Sequence, residues 1–155
     1  MKKIFSISIL ICFFSCTENK NDQYAKQIDE ILRYYHFENL AGKKIFIITS
    51  LEVCGACLDY TVKFIEKNIE DSNYLFIISS SSIKKTKITF TPKVLESPHF
   101  LLDSQLVAVR KGLVNTEKPQ AYLFSNGKVV DVQQITYSNA DSIFRYIHQF
   151  LNSQP

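Results

Sequence analysis

The sequence predicts an α/β domain, a mixed sheet of about four to five strands flanked by helices, with an extra helix before it. Three observations carry this. Two apolar runs, residues 45–48 and 74–78, enclose a stretch in which Leu58, Val62, Ile65 and Ile69 recur at helical spacing. That is the pattern of a parallel strand–helix–strand unit. Asn126-Gly127 separates two β-prone runs, 120–124 and 129–132, and Asn-Gly between such runs predicts a tight hairpin. From about Asn139, Ala140, Ile143, Phe144, Ile147 and Leu151 share one helical face, which predicts a closing helix capped by Ser138 or Asn139.

At 155 residues the chain is long enough for one domain with a real core. Hydrophobic residues make up 46% and charged residues 21%, a globular balance that argues against a disordered chain. The formal charge is +3, and without Lys2 and Lys3 the chain has 16 basic residues against 15 acidic ones. No nucleic-acid footprint follows from that balance: the nearest candidate, Lys84-Lys85-Thr86-Lys87, is short, lacks interleaved aromatics and reads as a solvated loop.

The N-terminus reads as an export signal. Met1-Lys2-Lys3 is a positive start, and residues 4–14 are apolar except for Ser6 and Ser8. The stretch is too short to span a bilayer and has the length of a signal-peptide core. Ser15-Cys16 closes it and resembles the lipobox of bacterial lipoproteins, although Phe13 stands where Leu is usual. The resemblance implies that residues 1–15 are removed, that Cys16 carries a lipid anchor, and that residues 16–22 are a tether. A plain signal peptide or an uncleaved anchor, with Cys16 unmodified, is the alternative. Either way the domain, residues 23–152, is expected in an oxidising compartment.

Tyr24, Ile28, Ile31, Leu32 and Tyr35 lie on one face of an amphipathic helix of about four turns. Ala41-Gly42 leads into the first strand. Residues 79–82 are a serine tract read as loop. Residues 83–96 show no clear period, and residues 100–102 suggest a short strand. Asp103-Ser104 then stands where it can cap a short helix carrying Leu106, Val109 and Leu113.

The chemistry concentrates at Cys54-Gly-Ala-Cys57, between the first strand and the helix after it. A helix start presents unpaired N–H groups and the positive end of the macrodipole. A thiolate is stabilised there, so the pKa of Cys54 is expected to fall toward neutrality. Two intervening residues put Cys57 one turn further on, so the pair reads as a dithiol–disulfide centre. A purely structural disulfide is the first competing reading, although so short a loop constrains the unfolded chain little. A zinc site is the second, and only His36, His99 and His148 are present to complete it.

The order of strand, CxxC at a helix start, strand, Pro-led strand, Asn-Gly hairpin and terminal helix resembles the thioredoxin superfamily. The run 119–129, Pro-Gln-Ala-Tyr-Leu-Phe-Ser-Asn-Gly-Lys-Val, resembles that family's cis-proline strand and hairpin. With the exported N-terminus, the chain is most similar to the envelope-anchored TlpA-like branch. The resemblance implies a thioredoxin-like fold and a thiol–disulfide oxidoreductase of the bacterial envelope, facing the periplasm or exterior. In it Cys54 is the attacking thiolate and Cys57 the resolving thiol. Pro119, with Lys118 before it, lies opposite the cysteines and lines the substrate site. No cofactor or metal is implied. The expected partners are protein thiols or disulfides, a redox partner, and the membrane through the lipid anchor.

Three positions depart from the family pattern. Val53 stands for the usual Trp, Ala56 for the usual Pro, and Ile48 for the buried Asp of thioredoxin proper. The departures leave the direction of electron flow open. A different class also fits: a lipoprotein binding module on the same scaffold with a structural CxxC.

Overall fold

The computed structural model describes residues 19–37, 41–53, 55–114 and 117–153. The predicted signal segment, Cys16 and Cys54 lie outside them.

The first strand, β1 (Lys43–Ser50), follows α1 (Lys20–Tyr34) and is followed in turn by α2 (Gly55–Asn68) and β2 (Tyr74–Ser79). Two short helices come next, α3 (Ile83–Thr89) and α4 (Pro92–Leu95), then β3 (Phe100–Asp103) and the single turn α5 (Val107–Arg110). β4 (Gln120–Ser125), β5 (Lys128–Gln134) and α6 (Ala140–Asn152) close the chain. The sheet order is β3-β2-β1-β4-β5. β1, β2 and β3 are parallel neighbours, and β4 runs antiparallel to both β1 and β5. This mixed sheet, with the CxxC segment leaving the carboxyl end of its central strand, is thioredoxin-like.

Both faces of the sheet are buried, which is why β1 and β2 read as unbroken apolar runs. Ile45, Ile47, Tyr74, Phe76, Ile78, Ala121 and Leu123 face the layer of α2, α4 and α6. The alternate residues Phe46, Ile48, Leu75, Ile77, Leu101, Tyr122 and Phe124 face α1 and α5. The period-2 alternation of strand side chains thus divides one sheet between two cores. The hairpin forms as predicted: Asn126 and Gly127 both take positive φ, 52° and 78°, as a two-residue turn matched to strand twist requires.

Four expectations are corrected. The Lys84-Lys85-Thr86-Lys87 segment is helical, not loop. Ser82 starts α3, its hydroxyl accepting the Lys85 N–H at 3.2 Å, and Pro92 at the first turn of α4 is preset for helix. The N-terminal helix begins at Lys20, inside the predicted tether, because the Asn19 side chain accepts the Asn21 N–H. In α2 the buried stripe is Cys57, Thr61, Phe64, Ile65 and Asn68; Leu58 and Val62 lie at its margin. Finally, no peptide bond among the described residues is cis, so the bond joining Lys118 to Pro119 is trans. Trans is the lower-energy isomer even before proline, and here the chain enters the β4 ladder at Gln120 directly.

Candidate active site

The site is built at the carboxyl end of β1. Ser50 is the last residue of the strand and also shapes the turn that leaves it. Its hydroxyl accepts the Glu52 N–H at 3.1 Å and its carbonyl accepts the Val53 N–H at 3.4 Å. A serine that bonds backbone two residues ahead offers the chain an alternative to the ladder, so the strand ends there. Leu51 is still tied to β2 through its N–H and the Ser79 carbonyl, 3.2 Å apart. Val53 is buried, filling apolar space where the family pattern has a larger ring.

Cys54 follows Val53 and immediately precedes Gly55, the first residue of α2. Gly55 and Ala56 are exposed, and a Cβ built on Gly55 would meet nothing within 4 Å. The start of α2 at Gly55 and Ala56 is therefore open to solvent. Cys57, in the first turn of α2, is only 5% exposed, and its carbonyl accepts the Thr61 hydroxyl at 2.9 Å. No acidic residue lies in the first turn of α2, so no carboxylate there opposes a thiolate at the positive helix end. Glu52, the nearest acid in sequence, is exposed and paired with Lys85 of α3 at 2.9 Å.

Lys118 and Pro119 lie at the same end of the sheet. β1 and β4 pair Ile48 with Gln120. Carried two residues further, that register sets Pro119 beside Thr49 and Lys118 beside Ser50. Pro119 is buried, and its carbonyl accepts the Ile135 N–H at 2.9 Å. Proline costs no ladder bond at a strand start. The Lys118 ammonium reaches Gln134 on β5, 3.5 Å from its side-chain oxygen.

The sequence reading missed an aromatic pair beside this end. Tyr137, 65% exposed, meets Tyr60 of α2 edge-on at 5.6 Å between ring centroids. Its loop is held by Asn139, whose side chain accepts the Thr136 N–H at 2.7 Å and donates to the Gln134 carbonyl at 3.0 Å. The two tyrosines come from distant segments, and no local pattern announces their contact.

Ile48 occupies the position of the missing Asp and is fully buried. Among the described residues one acid is buried, Asp103, but on the opposite face from α2. It accepts from the hydroxyls of Tyr35 and Ser79, both at 2.7 Å, and from the Val107 and Ala108 amides, both at 2.8 Å. The two amides make it the cap of α5, and the two hydroxyls tie it to α1 and β2. Of the histidines, His148 contacts Tyr74 through Nδ1 at 3.2 Å. Among the described residues no three potential ligands converge on a metal position, and no helix is long and apolar enough to cross a membrane.

No family model matches the sequence, and no curated protein matches it either. Several solved structures are similar to this one over part of its length. A protein described as the thiol:disulfide interchange protein DsbE of Chlorobium tepidum shares 12% identity, with a TM-score of 0.47 over 72% of this chain and 82% of that one. The bacterioferritin comigratory protein of Xanthomonas campestris shares 14% identity, with a TM-score of 0.46 over 74% and 81%. A thioredoxin-like protein of Bacteroides caccae shares 17% identity, with a TM-score of 0.43 over 70% of this chain and 40% of that one.

Proposed function

We propose that the protein is a thiol–disulfide oxidoreductase of the bacterial envelope, working through Cys54 and Cys57 and anchored by a lipid on Cys16. One observation carries the redox reading. A buried Cys57 stands in the first turn of a helix that leaves the central strand, beside the end of the sheet that Lys118-Pro119 enters.

The step balances as a two-electron exchange. The Cys54 thiolate attacks one sulfur of a substrate disulfide. A Cys54–substrate bond forms, and the second substrate sulfur leaves as a thiolate and takes up a proton. Cys57 then loses its proton and attacks the Cys54 sulfur. The Cys54–Cys57 disulfide forms and the first substrate sulfur leaves. A partner dithiol returns the two electrons, and the reverse sequence oxidises substrates. Burial of Cys57 keeps it from solution reagents, so its reaction is with the adjacent sulfur.

Trapping tests the reading. Cys57→Ala removes release and leaves attack intact, so disulfide-linked adducts with envelope proteins accumulate on non-reducing gels and vanish with dithiothreitol. Cys54→Ala, Cys57→Ala shows none. A folded, correctly placed Cys57→Ala protein without adducts would overturn the redox reading in favour of the binding module. The anchor is tested separately: labelled fatty acid enters the wild type and not Cys16→Ser, and equal labelling would remove Cys16 as acceptor.

A further inference from the structure

A surface next to the redox turn has no assigned role. α3 begins just past the carboxyl end of β2 and is joined to the redox turn by the Lys85–Glu52 pair. On its inner side a cavity of about 260 Å³ opens between Ile83, Thr86 and Lys87 of α3, Leu95 of α4, and Phe100 and Leu102 of β3. Ile83 is 58% exposed and Ile88 is 76% exposed. Ile83 lines the open apolar cleft, and a water-facing isoleucine there is costly unless something covers it.

The charge of the chain from α3 through α4 is one-sided. From Asp71 to Glu96 the chain carries Lys84, Lys85, Lys87 and Lys93 and no acid between those two ends. Lys85 is paired with Glu52, and Lys93 with Glu70 at 2.7 Å. Among the described residues, Lys84 and Lys87 have no carboxylate within ion-pair distance.

β3 adds a third feature, because it is an edge strand. The His99 and Asp103 carbonyls accept from the Phe76 and Ser80 amides. In a parallel ladder the alternate residue, Leu102, therefore turns its N–H and C=O to the open edge.

From these features we infer that the α3–β3 cleft receives an extended, acidic and apolar segment of the substrate protein. Apolar side chains fill the cleft, carboxylates meet Lys84 and Lys87, and backbone groups pair with Leu102. A lipid surface satisfies the lysines and isoleucines but makes no use of a strand edge, so a peptide is the better fit. The identity of the partner as a substrate rests on the protein-disulfide reading above; the cleft and its charge do not.

The test uses the whole oxidised chain, ¹⁵N-labelled, titrated with two short peptides. One alternates leucine with glutamate and the other alternates leucine with lysine. The acidic peptide is expected to shift the amides of 83–89 and 100–103 saturably and to bind more weakly as salt rises. Lys84→Glu with Lys87→Glu is expected to weaken it roughly tenfold, with circular dichroism unchanged. Equal binding of both peptides, no saturable shift, shifts elsewhere, or unchanged affinity in the variant would overturn the inference. So would shifts of the same residues by anionic vesicles but not the peptide, which assign the face to membrane. Shifts that grow with protein concentration alone and disappear in Ile88→Ser assign it to a second copy. No turnover is needed, so this result is independent of the adduct experiment. The substrate identity has its own readout: disulfide-linked dimers of a cysteine-bearing acidic peptide should show a lower KM than basic ones, and the difference should vanish in the double variant. Equal KM values with active enzyme would remove the substrate assignment.

Discussion

The Tyr35 hydroxyl, just past the end of α1, donates to the Asp103 carboxylate at the end of β3, 2.7 Å away. The same carboxylate takes the Ser79 hydroxyl and two amides of α5. One buried side chain thus ties the N-terminal helix, two strand ends and α5 together, on the face away from α2. Buried donors left without an acceptor each cost about 1–3 kcal/mol.

Asp103→Ala is therefore expected to destabilise the fold by about 3 kcal/mol or more, while Tyr35→Phe costs about 1 kcal/mol. Urea denaturation measures both. A loss under about 1 kcal/mol for Asp103→Ala would show that water or rearrangement satisfies the orphaned donors.

Stability should also fall in alkali. Tyr35, Tyr74 and Tyr122 are all held above the ordinary tyrosine range, each first by burial. For Tyr35, the hydrogen bond to Asp103 and its charge act in the same direction. A raised phenol pKa means that the folded state holds its proton more tightly than the unfolded chain. The stability is fully present below the unfolded value of about 10 and declines as pH rises past it toward the folded value. Urea midpoints recorded from about pH 8 to pH 11 should fall at the alkaline end, less steeply in Tyr35→Phe. A level wild-type profile would contradict the linkage.

The two cysteines should differ in reactivity. Cys57 is buried in α2, whereas the ground beside Gly55 is open. In reduced protein at neutral pH, Cys54 should be alkylated on the order of tenfold faster or more; preferential modification of Cys57 would reverse nucleophile and resolver. Lys118→Ala should raise the Cys54 titration midpoint if the ammonium swings from Gln134 toward the sulfur in solution. An unchanged curve would remove Lys118 from the mechanism.

Much of this was legible locally. The apolar runs of β1 and β2, the Asn126-Gly127 turn and the α6 stripe are short-range signals, and each element formed where its signal stood. So was the placement of Cys57 in the first turn of α2, because a strand run followed by helical spacing is a property of a few consecutive residues. Local signals were also present for α3, in Ser82 as cap and Pro92 at the next helix start, but a lysine-rich segment without apolar period hid them. What only the tertiary structure decided are relationships between distant segments: β3 as a parallel edge strand, Asp103 as the buried acid on the far face, and Tyr137 against Tyr60. The Lys85–Glu52 pair that joins α3 to the turn after β1 belongs with them. The sequence carries each residue's propensity and polarity, but burial and pairing depend on which surfaces meet. That is settled when both faces of one sheet are covered at once, and no single stretch of chain contains it.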